Sequence, residues 1–194
     1  MNGENVEKEK IKIELEKAQQ CLEWTKTLLF LDTNVDNAAK RRVKRGQVYD
    51  CNLGYGIGCD ENKKRPCVIL QYDSANISSS NTIVAPITHT ESAVPVVVPI
   101  AEQKDSDGNI TLDGNVLLGN VVCVSKARLG DYKGKLTSAE MKRVDEALAK
   151  SIGLKKYYDK LNNIIKDREE YIKKLKQKIA DQDKEIERLK GQSV

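Results

Sequence analysis

Apolar and small residues recur between residues 11 and 29 at alternating steps of four and three: Ile11, Leu15, Ala18, Leu22 and Leu29, with Thr25 filling the polar step. This spacing places them on one side of a 3.6-residue helix, so residues 1–33 are expected to hold an amphipathic helix ending near Asp32-Thr33-Asn34. From Gly46 the texture changes to short apolar runs bounded by Gly, Asn, Asp or Pro. Gln47–Cys51, Pro66–Leu70, Thr82–Ile87, Val94–Ile100 and Val116–Cys123 read as strands. With no helices between them, they predict a small, mainly antiparallel sheet or barrel. The period returns to 3.6 over Leu136–Ile152, where Thr137 is the expected N-cap and Glu140 its capping-box partner. Met141, Val144, Leu148 and Ile152 are its expected buried stripe.

A heptad repeat begins beyond Gly153. Tyr158, Ile165, Ile172, Ile179 and Ile186 form one seam, and Leu154, Leu161, Arg168, Leu175, Gln182 and Leu189 the other. Isoleucine at a with leucine at d favours a parallel two-stranded coiled coil over residues 155–190. The g-to-e′ pairs Lys178 with Asp183 and Glu185 with Lys190 have the opposite signs such a pair needs. A single helix packed on its own domain is the competing reading, and residues 191–194 read as a disordered tail.

Charged residues make up 32% of the 194 positions and aromatics 5%, which suits long solvated helices appended to one compact domain. The formal net charge of +4 is uneven: both flanks are basic and the centre is slightly acidic, so any anion site must be a local cluster. The run Lys40-Arg41-Arg42-Val43-Lys44-Arg45 reads as part of a solvated basic linker, 34–44, with a contact to a nucleic-acid backbone as the alternative. Five cysteines, an odd number without a C-x-x-C pair, read as reduced thiols in a cytoplasmic protein with no zinc site. The first twelve residues lack an apolar signal core, and no stretch approaches the ~20 apolar residues of a membrane span.

Candidate chemistry narrows by subtraction. His89 is the one histidine, so neither a paired-histidine nuclease nor an H-E-x-x-H metal helix can be built in one chain. Gly54-Tyr55-Gly56-Ile57-Gly58 lacks the spacing of a nucleotide cradle and reads as a flexible loop. What remains is an ordered series. It runs Arg45-Gly46-Gln47-Val48-Tyr49, then Arg65-Pro66 before an apolar strand ending Leu70-Gln71-Tyr72-Asp73, then Pro86-Ile87-Thr88. Leu117–Leu129 with Lys126-Ala127-Arg128-Leu129 follows, and Val144-Asp145-Glu146-Ala147-Leu148 with Leu154 closes it. This series, over residues 45–154, resembles the MazF/PemK family of toxin endoribonucleases.

The resemblance implies an α+β fold: a small SH3-like, PemK/CcdB-type β-barrel with a terminal helix, here flanked by an N-terminal amphipathic helix and a C-terminal coiled coil. It implies a homodimer that cuts single-stranded RNA without metal or cofactor, leaving 2′,3′-cyclic phosphate and 5′-hydroxyl ends. It also implies an antitoxin partner protein, with Arg65 and Thr88 as the catalytic pair. A guanidinium fork and a hydroxyl donor suit the charge that gathers on phosphate oxygens in the transition state. Tyr49, Tyr55, Lys63, Lys64, Tyr72, His89, Lys126 and Arg128 are candidate RNA contacts, the aromatics by stacking and the cations at phosphate. Two other readings stand beside the enzyme: a non-enzymatic inhibitor like the gyrase poison CcdB, which shares the fold, and a coiled-coil scaffold with an inactive barrel.

Overall fold

Seven strands form one antiparallel sheet: β1 (Gln47–Gly54), β2 (Lys63–Ile69), β3 (Asn81–Thr88), β4 (Val97–Lys104), β5 (Ile110–Leu117), β6 (Val122–Ser125) and β7 (Leu129–Lys135). The computed structural model that shows this describes residues 13–58, 61–90 and 93–191. The order is β4-β5-β3-β2-β1-β7, with β6 paired to β3. The two ends of that path approach each other, since Gln103 of β4 donates through Nε2 to the Lys135 carbonyl of β7 at 2.9 Å. The sheet therefore curls into the expected small barrel-like form.

Strands β1, β2 and β3 are covered on both faces, which explains their near-continuous apolar runs. Val48, Val68 and Ala85 point into a core completed by Val116, Leu118 and the helix α4 (Ser138–Ser151). Their neighbours Tyr49, Cys67 and Val84 point the other way, into a second cluster closed by Val43 and Leu129. The helices α2 (Val35–Ala39) and α3 (Asp73–Ser78) are short connectors.

Several expectations need correction. Val116–Cys123 is two strands rather than one, because a turn at Gly119-Asn120, in which Asn120 N–H donates to the Leu117 carbonyl at 3.3 Å, separates β5 from β6. Residues 34–44 are not a free linker. Arg41 donates from both terminal nitrogens to the carbonyls of Leu129 and Gly130 at 2.6 Å, and its guanidinium lies 4.6 Å over the Tyr49 ring. Val43 is buried as well, and Arg45 bonds the Leu70 carbonyl and Asp145, so this basic run stitches the chain to the barrel.

In α4, Val144 and Ala147 are buried and Met141 and Leu148 partly so, whereas Ile152 is exposed beyond the helix end. The helix α1 (Leu15–Asp32) forms as expected, but its stripe of Leu15, Leu22 and Leu29 faces solvent. Ile11, Cys59 and residues 192–194 lie outside the described residues. The four described cysteines, Cys21, Cys51, Cys67 and Cys123, are free thiols.

The chain divides into two units, Met1–Leu148 and Ala149–Val194. The second is dominated by one helix, α5 (Lys155–Gly191), of 37 residues, whose seam residues from Leu154 to Leu189 include no buried side chain. No helix among the described residues is long and apolar enough to cross a membrane.

Candidate active site

Arg65 enters the site from the opening of β2, opposite Cys51 of β1. Just before it the β1–β2 ladder slips between Asn52 and Gly54, and Lys63 takes a left-handed φ of 66°, rare for a residue with a side chain. A bulge of this kind bends the strand and re-aims its side chains. The half-buried Arg65 is held from behind: Nε–H donates to the Asn62 carbonyl at 3.2 Å and lies 3.0 Å from Glu61 Oε2. That carboxylate oxygen is buried and accepts no aligned hydrogen bond, so the guanidinium charge is its compensation. Glu61 is fixed in turn by Asn120, whose Nδ2 donates to Oε1 at 3.0 Å. The two terminal nitrogens of Arg65 meet no protein acceptor among the described residues.

Thr88 ends β3. Its Oγ1 is 3.3 Å from Thr90 Oγ1 and accepts the Thr90 N–H at 3.2 Å. Its backbone is pressed against β5 at Gly114, where φ is +105° and a Cβ would stand 2.6 Å from the Thr88 carbonyl oxygen, so only glycine allows this approach. The β2–β3 ladder pairs Ile69 with Val84, Val68 with Ala85 and Cys67 with Pro86. The β2–β3 pairing ends at Cys67 and Pro86, two residues short of Arg65 and Thr88, which stand on neighbouring strands just past the paired stretch.

The other candidates scatter. His89 is exposed, with Nε2 2.9 Å from Asp113 Oδ1. Lys63 and Lys64 are exposed on the rim of β2, and Lys64 Nζ shares Asp50 Oδ2 with Lys133, at 3.2 and 3.3 Å. Arg128 donates to the Leu53 carbonyl at 3.0 Å and lies 5.2 Å over the ring of Trp24 in α1. Tyr55 is half-buried and lines two cavities. One, of about 510 Å³, lies between α1 and the β1–β2 rim; the other, of about 380 Å³, is shared with Glu61, Asn120 and Arg128. Neither is lined by Arg65, which stands beside the smaller one through Glu61.

Three candidates are not placed to meet RNA. Tyr49 is 7% exposed, edge-on to Tyr132 at 5.5 Å and beneath Arg41, and burial pushes its phenol pKa up. Lys126 is 1% exposed, its Nζ donating to the Asn76 carbonyl at 2.5 Å, and burial lowers its pKa. A buried amine already committed to a carbonyl cannot serve as a phosphate contact. Tyr72 is exposed, but it sits beyond the far end of β2, at the start of α3. Sequence reasoning missed Glu61, Asn120 and Trp24. Glu61 precedes Arg65 by four residues with nothing in the spacing to mark it, and Asn120 acts across a turn. Trp24 carried a signal, being the chain's one tryptophan.

Residues 44–152 match the family model described as PemK-like, MazF-like toxin of type II toxin-antitoxin system. The chain is 31% identical over 110 residues to Endoribonuclease MazF1 of Mycobacterium bovis, an alignment covering 57% of this chain and 92% of the relative. The same figures hold for Endoribonuclease MazF4 of Mycobacterium tuberculosis. The solved structure of MazF from Deinococcus radiodurans superposes with a TM-score of 0.51 at 16% identity, over 58% of this chain and 98% of that one, which supports the fold alone.

Proposed function

Since the chain belongs to the PemK-like, MazF-like toxins of type II toxin-antitoxin systems, we propose that it is an endoribonuclease of the cytoplasm whose Arg65 and Thr88 act on the scissile phosphate of single-stranded RNA. One observation carries the assignment of Arg65: its Nε edge is anchored by Glu61 and Asn62 while its terminal nitrogens are left without a protein acceptor among the described residues. A guanidinium fixed in this way offers a preorganised fork to two phosphate oxygens.

In the proposed step the ribose 2′-oxygen bonds to its own phosphorus and the bond to the 5′-oxygen breaks. The 2′-hydroxyl gives up a proton and the leaving oxygen takes one, so the products are a 2′,3′-cyclic phosphate and a 5′-hydroxyl. Arg65 neutralises the equatorial oxygens, and Thr88 Oγ1 adds a neutral donor. No step is routed through a metal. Tyr55, Lys63, Lys64 and Arg128 surround the opening of β2 and are the RNA-binding rim, with His89 beside Thr88 as a further contact. A cognate antitoxin protein controls the toxin, and two copies pair, reinforced by parallel α5 helices whose seams meet.

The test is cleavage of a long RNA by the purified full chain in excess EDTA. Discrete cuts with cyclic phosphate ends are expected. Arg65→Ala should lose a hundredfold or more in rate, about 3 kcal/mol of transition-state stabilisation, with an unchanged circular dichroism spectrum. Full cleavage by the folded variant, or 5′-phosphate ends, overturns the assignment.

A further inference from the structure

Helix α1 lies on the barrel the wrong way round for a helix held by hydrophobic packing. Leu15 and Leu22 are 84% and 70% exposed, and the face turned to the sheet is polar. Glu16, Gln20 and Glu23 recur there at helical spacing and form one wall of the 510 Å³ cleft, with Tyr55, Lys63 and Lys64 on the other. Two residues anchor it, the half-buried Leu31 beside Ala127 and Leu129 near its end, and Trp24 at the rim. The Trp24 ring sits 2.7 Å from where a Cβ on Gly54 would stand, a seat that only glycine leaves open, and the Arg128 guanidinium covers the ring at 5.2 Å.

We propose that the β1–β2 rim is a helix-docking surface whose occupant is α1 of the same chain, and that α1 and RNA compete for it. The proposal rests on the assignment of Tyr55, Lys63, Lys64 and Arg128 to RNA. Of these four, Arg128 touches α1 through the indole, while Tyr55, Lys63 and Lys64 face its acidic wall across the cleft that the helix covers. The cover is built to come off. No residue of α1 is buried, its apolar stripe gains nothing from docking, and carboxylates facing lysines across a solvated cleft attract weakly and less so in salt. RNA affinity is then reduced by the fraction of molecules in which the rim is open.

Because Trp24 is the chain's one tryptophan, its fluorescence reports α1 directly. In the full-length chain with Arg65→Ala to prevent cutting, addition of a mixed-sequence single-stranded RNA is expected to shift Trp24 emission to the red as the indole leaves Gly54. Trp24→Ala should tighten RNA binding about five- to tenfold in that background and, with Arg65 intact, lower KM more than it changes kcat. Glu16→Gln with Glu23→Gln, which preserves the helix, should act in the same direction by about two- to threefold.

Unchanged emission at saturating RNA, or equal or weaker RNA binding by Trp24→Ala, overturns the cover; weaker binding makes α1 part of the RNA site instead. The underlying assignment fails separately. If Lys63→Glu with Lys64→Glu leaves RNA affinity unchanged in the Trp24→Ala background, the rim does not bind RNA. If affinity falls there while Trp24→Ala brings no gain, the cover alone is wrong.

Discussion

Helices α4 and α5 carry the same kind of apolar stripe and meet opposite fates. In α4 the stripe is consumed: Val144 and Ala147 are buried in the barrel core, with Met141 and Leu148 against it. In α5 every seam residue stays exposed, Leu175 at 41% and Tyr158 at 53% among them, along a helix that by its 37 residues extends about 55 Å. The difference lies in what each helix finds within reach. A stripe of four turns fits one opening of a small barrel, whereas ten turns of apolar seam exceed what such a domain can cover, and the parallel pair proposed above would supply a partner of equal length. In the first half of α5 Tyr157, Ile164 and Tyr171 add a third exposed row beside Tyr158, Ile165 and Ile172, so the stripe is broadest there.

The largest effect should come from the consumed stripe. Val144→Asp places a carboxylate with no partner in a site of zero exposure and should cost about 4 kcal/mol or more, enough to unfold a marginal domain. Urea unfolding of the barrel reads this directly, and a midpoint equal to that of the parent protein would break the contrast from the α4 side.

Next comes the exposed stripe. Ile172→Lys with Ile179→Lys should lower the association constant on the order of a hundredfold by charging two successive a layers on either side of Leu175, while the barrel melts as before. Sedimentation equilibrium on both proteins decides it. Equal association constants would mean that the α5 seam does not join two copies, and the parallel pair would have to be abandoned.

Periodicity made the barrel strands and both long helices legible, since it records which positions leave water. It could not record what they pack against. The spacing in α1 marks a stripe, yet the rim this helix meets carries Lys63, Lys64 and Arg128, and its polar face lies against it. Residues 34–44 looked solvated because arginine is usually exposed, but Arg41 finds two carbonyls and an aromatic face. Lys126 departs from expectation for the same reason: a lysine near an arginine suggests a phosphate site, but its Nζ is bonded inside the fold. At the candidate site, Arg65 and Thr88 stand out through the family resemblance alone, since by themselves an arginine before a strand and a threonine at a strand end are ordinary. Glu61 stands four residues before Arg65 with nothing in the spacing to mark it, and Asn120 reaches it from a turn far along the chain.

The smallest effect concerns how α4 is pinned at its start, which α5 does not match. Glu140 Oε2 accepts the Thr137 N–H at 2.7 Å and its hydroxyl at 2.8 Å, while Oε1 accepts the Ala101 N–H of β4 at 2.7 Å, so one carboxylate both caps the helix and ties it to the sheet. Burial alone would raise its pKa. The hydrogen bonds from Ala101 and Thr137, with Arg143 nearby, outweigh burial and hold it below the usual carboxylate range. A carboxylate whose folded pKa is depressed contributes stability that is present above its unfolded value, near 4.3, and lost as the pH falls through the folded value. Glu140→Gln keeps the shape but turns an NH2 group toward one of the backbone donors, and should cost about 1–2 kcal/mol at pH 7. At pH 3, below the unfolded value, the unfolded chain binds a proton at this site and part of the advantage of the folded carboxylate is lost, so the gap between the two unfolding free energies should narrow. Urea titrations at both pH values measure it, and a gap of equal size at each would show that the carboxylate's charge has no part in anchoring α4.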